Sequence, residues 1–257
     1  STTGGTSIEN SQPLMANYKN GPMAIAHNGN LVNAGKIRRT LEESGAIFQT
    51  STDSEVIANL ISRYGIQTGD LEEILSMIME QVKGSYSLVL MTRNHLIGMR
   101  DPWGLRPLCI GKLDDSIILA SESCALDAVG ADFVRNVEPG EIVFIQGAEI
   151  RSIRKAVGSQ PRHFCIFEHI YFARPDSFID GASVYRARLE AGRRLAIEHP
   201  VDADLVVGVP DSGLTAAIGF SRQSGIPYGE ALIKNRYVGR TFIQPQQRMR
   251  EQSVDIK

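Results

Sequence analysis

Apolar residues recur at helical spacing in three successive stretches before residue 84, and then give way to short strand-like runs. Ahead of them an extended stretch, Met23 to Ala26, opens into His27-Asn28-Gly29-Asn30, where Asn-Gly reads first as a hairpin turn. Asn33 is placed to cap a helix through Ser44, with Ala34, Ile37 and Leu41 on one face and Gly45 to stop it. Thr52-Asp53-Ser54-Glu55 has capping-box spacing, and Val56, Ile57, Leu60, Ile61 and Tyr64 continue as the buried stripe of a second helix. Asp70, with Glu73 three residues on, opens a third helix through Leu71, Ile74, Leu75, Ile78 and Val82, which Gly84 ends.

From Ser85 the runs "SYSLVLMTRN", "HLIGMRD", "PLCIGKL", "SIILASES" and "GEIVFIQGAEIRSI" predict consecutive antiparallel strands. Helices followed by a strand meander give a layered α+β domain over residues 1–153. The polar stretch from Arg154 begins a linker and interface over 154–182, and 183–257 opens a second, α/β domain. There "SVYRARLEAGRRLAIEH" reads as a helix, and Leu205 to Val209 as a parallel strand buried on both faces, feeding a loop and another helix.

Composition narrows the function classes. The 257 residues are 42% hydrophobic and 22% charged, and 27 Lys+Arg against 29 Asp+Glu leave a net charge of -2. No global electrostatic pull toward nucleic acid or an anionic membrane follows, so any anion site is local. Cys109, Cys124 and Cys165 are too few for a disulfide framework, and neither a membrane-length apolar run nor a signal peptide is present. A cytoplasmic protein is expected. The chain opens on Ser1-Thr2-Thr3-Gly4 and closes on Val254-Asp255-Ile256-Lys257, which reads as a fragment lacking both termini.

Local chemistry stays ambiguous residue by residue. The Asn28 amide and Gly29 N–H either belong to a turn or converge on a developing oxyanion. Asp53 either caps a helix or holds a ligand's ammonium group. "RDPWGLRPL" is by itself a loop between strands. Pro210-Asp211-Ser212-Gly213 either caps a helix or cradles phosphate at its N-terminus, with Ser212 offering an oxygen to Mg²⁺. Lys234, Arg236, Arg240, Arg248 and Arg250 with Tyr237 and Phe242 form a solvated charged face or a nucleic-acid contact.

Five segments, "STTGG", "AHNGNL", "TSTDSE", "RDPWGLRPL" and "ASESCAL", resemble in order and separation the glutaminase domain of N-terminal-nucleophile amidotransferases. Two more, "CIFEHIYFARPDSFIDGASVY" and "KNRYVGRTFI", resemble the branch of that family that acts on phosphoribosyl pyrophosphate. The resemblance implies an αββα N-terminal-nucleophile hydrolase fold followed by an incomplete α/β phosphoribosyltransferase-like domain. It implies glutamine-dependent synthesis of 5-phosphoribosylamine with release of glutamate and pyrophosphate, the first committed step of purine biosynthesis. Asn28 and Gly29 would form the oxyanion hole and Asp53 would bind the glutamine amino group. Lys234, Tyr237 and Arg240 would meet phosphoribosyl pyrophosphate, and Ile243 would help close a channel for ammonia. Ser212 would contact Mg²⁺.

The nucleophilic cysteine of the family is absent from this chain, and Ser1 does not take its place. Cys165 matches one ligand of the [4Fe-4S] cluster that some members carry; Cys109 and Cys124 read as core residues. The fragment itself is expected to be inactive. Homotetramers, purine-nucleotide feedback, and no nucleic-acid or membrane partner are also implied. The rival readings are another N-terminal-nucleophile amidotransferase, or a catalytically dead regulatory module retaining both folds.

Overall fold

A computed structural model describes residues 8–154, 163–235 and 246–256, without the side chains of 252–256. The chain forms two compact units, Ser1–Cys165 and Ile166–Lys257, dividing within the segment expected as a linker.

The first unit runs β1 (Leu14–Tyr18), β2 (Gly21–Leu31), α1 (Ala34–Glu43), α2 (Asp53–Gln67), α3 (Leu71–Gln81), β3 (Gly84–Met91), β4 (Leu96–Arg100), β5 (Cys109–Leu113), β6 (Ser116–Ala120), α4 (Ser123–Ala128), β7 (Asp132–Asn136), β8 (Glu141–Gln146) and β9 (Glu149–Arg154). Its strands form a six-stranded sheet, β1-β2-β3-β4-β8-β9, and a three-stranded sheet, β6-β5-β7. Neighbouring strands in both sheets pair antiparallel.

Strand alternation sends side chains to two different cores. Met23, Ile25 and Ile97 face Ile57, Leu60 and Ile78 of the helices. Val143 and Ile145 of the same sheet face Leu108 and Ile110 beside and within β5. On the far side of the small sheet, Cys109 packs with Leu126 of α4 and with Ala131. Helices, large sheet, small sheet and α4 therefore stack as α–β–β–α, the layering expected for the glutaminase domain.

Several local expectations change. The meander is split between two sheets, because "PLCIGKL" pairs with "SIILASES" on one edge and with β7 on the other, in a separate layer rather than extending the first. The pattern did not single out β7, whose first three residues are exposed, or the six-residue α4. Asn33 sits at the N-cap of α1 without a side-chain cap bond. Its amide instead donates to the Gln81 carbonyl and its oxygen accepts from Lys83 N–H, tying α1 to the end of α3. Thr52 likewise makes no side-chain cap bond. The Glu55 carboxylate turns away from a capping box to accept from Gln49 N, Thr50 N and Thr50 Oγ1, each at 2.7 Å. The Asp70 cap does form, accepting from Glu72 N at 2.9 Å.

The second unit holds a turn of π-helix (Glu168–Phe172), a hairpin of β10 (Phe178–Ile179) with β11 (Ala182–Ser183), and helices α5 (Val184–Glu198), α6 (Leu214–Ser224) and α7 (Gln247–Ile256). Helices α5 and α6 cross so closely that a Cβ on Gly192 would stand 1.8 Å from the Ala216 carbonyl oxygen. The buried parallel strand expected at Leu205–Val209 is reduced to one bridge, Val206 to Tyr228. Leu205 and Val209 are exposed. A parallel strand is buried by neighbours on both edges and helices on both faces, and among the described residues only the Tyr228 segment pairs with this one.

Candidate active site

Asn28-Gly29 does not form a turn. Both residues lie inside β2, an eleven-residue strand, where Asn28 pairs with Ser87 and Gly29 with Tyr86 of β3. The dipeptide needs glycine for another reason. Gly29 has φ +148°, and a Cβ there would meet Ser85 O at 2.1 Å and Tyr86 Cα at 2.8 Å. Backbone approaches backbone too closely for any side chain. Asn28 is exposed, and its amide donates to Ser121 Oγ at 3.1 Å, from the chain just past β6.

His27, one step back along β2, points to the other face of the sheet. Its ring is buried against the start of α2, with Nδ1 3.2 Å from Asp53 Oδ1 and 3.4 Å from Ser54 Oγ. Asp53 Oδ2 accepts Leu31 N–H at 3.0 Å. Gln12 fastens the same corner, accepting His27 N–H at 2.8 Å and donating to Ser54 Oγ. Asn10 pairs reciprocally with Ser51, amide to hydroxyl and backbone N–H to amide oxygen. His27 Nε2 is buried and meets no partner among the described residues. The Asp53 carboxylate is thus engaged by β2 itself, through the His27 ring and Leu31 N–H.

The loop after β4 secures β3 behind Gly29. Asp101, fully buried, accepts N–H groups from Trp103, Leu105, Arg106 and Tyr86. Asp101 N–H in turn donates to Tyr86 O at 2.9 Å. The Tyr86 backbone therefore faces Asp101, away from Gly29. Burial raises the Asp101 carboxyl above the usual carboxylate range, against the lowering effect of the N–H groups it accepts. Burial, and then the neighbouring Asp101 charge, drives the Tyr86 phenol far upward. Arg100, also buried, donates to the carbonyls of Arg106, Val137 and Gly104, so "RDPWGLRPL" is a loop wrapped around a buried ion at each side of its first peptide bond.

In the second unit Gly213 is the N-cap of α6 and makes no side-chain cap bond, so neither Asp211 nor Ser212 acts as the simple cap. The Asp211 carboxylate pairs instead with Lys234 Nζ. Tyr237, Arg240 and Ile243 lie outside the described residues. Ser212 and Asp211 are oxygen donors of the kind Mg²⁺ takes, and two such groups suit an ion that shares its shell with substrate phosphates. Among the described residues no three His, Cys, Asp or Glu side chains gather as a metal site. The three thiols do not by themselves supply the four thiolates that an iron–sulfur cluster takes. Cys109 and Cys124 are buried in the small-sheet layer, Cys109 donating to Ala120 O and Cys124 to Glu122. Cys165 is half-buried.

Sequence pattern missed Ser121 and Gln12, which lie 93 and 15 residues from the β2 positions they contact. The segment "ASESCAL" was the one trace of Ser121, carried by resemblance and without a role for it.

Residues 5–128 match a family model described as a glutamine amidotransferase domain. Over all 257 residues the chain is 52% identical to an amidophosphoribosyltransferase of Archaeoglobus fulgidus, covering 100% of this chain and 56% of that protein. It is 50% identical to the amidophosphoribosyltransferase of Bacillus subtilis, again across 100% of this chain and 53% of the relative. Among solved structures, a glutamine phosphoribosylpyrophosphate amidotransferase from B. subtilis complexed with ADP and GMP superposes with a TM-score of 0.85 at 50% identity, covering 96% of this chain and 54% of that one. The chain spans about half the length of the curated relatives it matches.

Proposed function

The chain belongs to the amidophosphoribosyltransferase family, and from that premise we propose that its first unit is the glutamine-hydrolysing half of an enzyme that makes 5-phosphoribosylamine. The observation that carries this is β2: an exposed Asn28 amide beside a Gly29 whose backbone is held against β3 with no room for a side chain. Two N–H donors on consecutive residues can meet the oxygen of a glutamine carboxamide as a nucleophile adds to its carbon. Asp53, at the start of α2, provides the carboxylate for the glutamine ammonium, with His27 and Leu31 N–H fixing its position. The nucleophile is a cysteine that this chain does not contain.

Ammonia released there is consumed at a second site that binds phosphoribosyl pyrophosphate. The second unit contributes opening elements of a phosphoribosyltransferase-like domain, supported by the parallel bridge of Val206 to Tyr228 and the loop before α6. Lys234, Tyr237 and Arg240 are the cationic and phenolic groups for the substrate, with Ile243 at the closure between sites. Mg²⁺ held partly by Ser212 would neutralise the leaving pyrophosphate. A cluster at Cys165 would draw its other ligands from outside this chain. Feedback by purine nucleotides, a homotetramer and a cytoplasmic setting complete the reading; no helix among the described residues is long and apolar enough to cross a membrane.

The test is glutamine-dependent release of pyrophosphate from phosphoribosyl pyrophosphate and Mg²⁺ by the full-length protein, prepared anaerobically with iron and sulfide assayed alongside. Pyrophosphate and glutamate in equal amounts support the proposal. Glutamate without pyrophosphate would leave a glutaminase and remove the transferase.

A further inference from the structure

We propose that Ser121 is a positioning residue for glutamine hydrolysis, acting on the oxyanion donor Asn28 from the small sheet; this rests on the oxyanion reading of Asn28 given above. The Asn28 side chain is exposed on β2, and the bond of its Nδ2 to Ser121 Oγ at 3.1 Å is the contact that orients it. A carboxamide NH₂ carries two hydrogens. With one on Ser121 Oγ, the plane of the amide is set and the second hydrogen remains for the oxyanion. Without that anchor the amide rotates freely, and half of its planar orientations present Oδ1, which repels a developing negative charge.

Ser121 is itself held by the layer beneath. It follows Ala120, the last residue of β6, which pairs with Cys109 of β5. The Cys109 thiol donates to the Ala120 carbonyl at 3.3 Å. Burial pushes that thiol up to about 11, with the Cys124 and Glu122 charges adding to the rise and Arg100 opposing it, so it keeps its proton at neutral pH and remains a donor. On the other side Ser121 meets Glu122, the N-cap of α4, whose Leu126 is fully buried. One donor of the oxyanion hole therefore belongs to the large sheet while its orientation is set by the small one.

The experiment compares glutamine hydrolysis by the full-length protein and its Ser121→Ala, Ser121→Thr, Asn28→Ala and Asn28→Ala/Ser121→Ala variants. Loss of one neutral hydrogen bond that organises a donor corresponds to a drop in kcat of about 3–10-fold in Ser121→Ala. KM for glutamine stays within about twofold, since the bond acts on the transition state rather than on substrate binding. Ser121→Thr, which keeps the hydroxyl, restores most of kcat. In the Asn28→Ala background the Ser121 substitution has no further effect, because the group it orients is gone. Wild-type kcat in Ser121→Ala, or an equal fall in both backgrounds, overturns the proposal. Wild-type kcat in Asn28→Ala instead overturns the oxyanion reading beneath it.

Discussion

Gly29 of β2 stands so close to Ser85 of β3 that a Cβ on the glycine would lie 2.1 Å from the serine carbonyl oxygen. The obstacle is backbone on a central pair of the large sheet, so no side chain can move aside. Gly29→Ala must both strain a φ of +148° and push β2 away from β3. Strain and overpacking together predict a loss of about 2–5 kcal/mol. Urea denaturation of the first unit's near-ultraviolet signal measures it; a variant as stable as the parent would refute the close approach.

That relationship marks where sequence reading succeeds and where it stops. The three helices were legible because their apolar stripes face one neighbour, the large sheet, and period alone places Ile37, Leu60 and Ile78 there. Asn28-Gly29 misleads because a dipeptide preference reports only the chain's own turn tendency, while the demand for glycine comes from Ser85, 56 positions away by numbering (85 − 29). The caps failed for the same reason: Asn33 and Glu55 found better partners in Gln81, Lys83 and Thr50 than in their own helix ends. Leu205–Val209 erred differently. Its apolar run is what a buried parallel strand needs, but burial depends on the strands and helices around it, not on the run.

Asp53 is predicted to separate into two measurable roles. Asp53→Ala leaves Leu31 N–H and the His27 ring without their acceptor in a buried corner, a loss of about 2–3 kcal/mol. Asp53→Asn keeps an oxygen for Leu31 N–H and loses roughly half as much. If the carboxylate also receives the glutamine ammonium, Asp53→Asn raises KM for glutamine in the full-length protein far more than it lowers stability. Parallel chemical denaturation and glutamine saturation curves distinguish the two; an unchanged KM would confine Asp53 to a structural role.

The Arg135–Glu141 pair predicts a pH-dependent share of stability. Burial works against the Glu141 charge, but hydrogen bonds from Arg135, Ser152 and Glu138 N–H hold its carboxyl below the usual carboxylate range. The folded state therefore binds fewer protons than the unfolded chain, and the stabilisation is full above the unfolded carboxylate value and lost as pH falls through the folded one. Arg135 is 38% exposed, so solvent screening reduces the effect of Arg135→Met to about 1–2 kcal/mol at neutral pH. Denaturation midpoints of parent and variant should converge as the pH is lowered through the carboxylate range. A gap that stays constant would show that Glu141 is not the group responsible.

Lys234 and Asp211 give the last prediction, at the second unit's loop. Lys234 is proposed above to meet phosphoribosyl pyrophosphate, and its ammonium is paired with the Asp211 carboxylate. An anionic ligand must therefore displace Asp211 before it can use the lysine. Both side chains are partly exposed, at 36% and 55%, so the pair is a weak one and the competition is mild. An exposed pair of this kind is worth about 0.2–1 kcal/mol, which corresponds to a gain of roughly 1.5–5-fold in pyrophosphate affinity for Asp211→Asn when no Mg²⁺ is present. With Mg²⁺ the sign reverses if Asp211 lends its carboxylate to the ion beside Ser212, because the variant then loses a charged oxygen ligand. Calorimetric titration of pyrophosphate into the full-length protein, with and without Mg²⁺, reads both arms. Tighter binding in the two conditions alike would make Asp211 only a competitor for Lys234, and weaker binding without Mg²⁺ would show that the Lys234 pairing orders the loop for its ligand instead of blocking it.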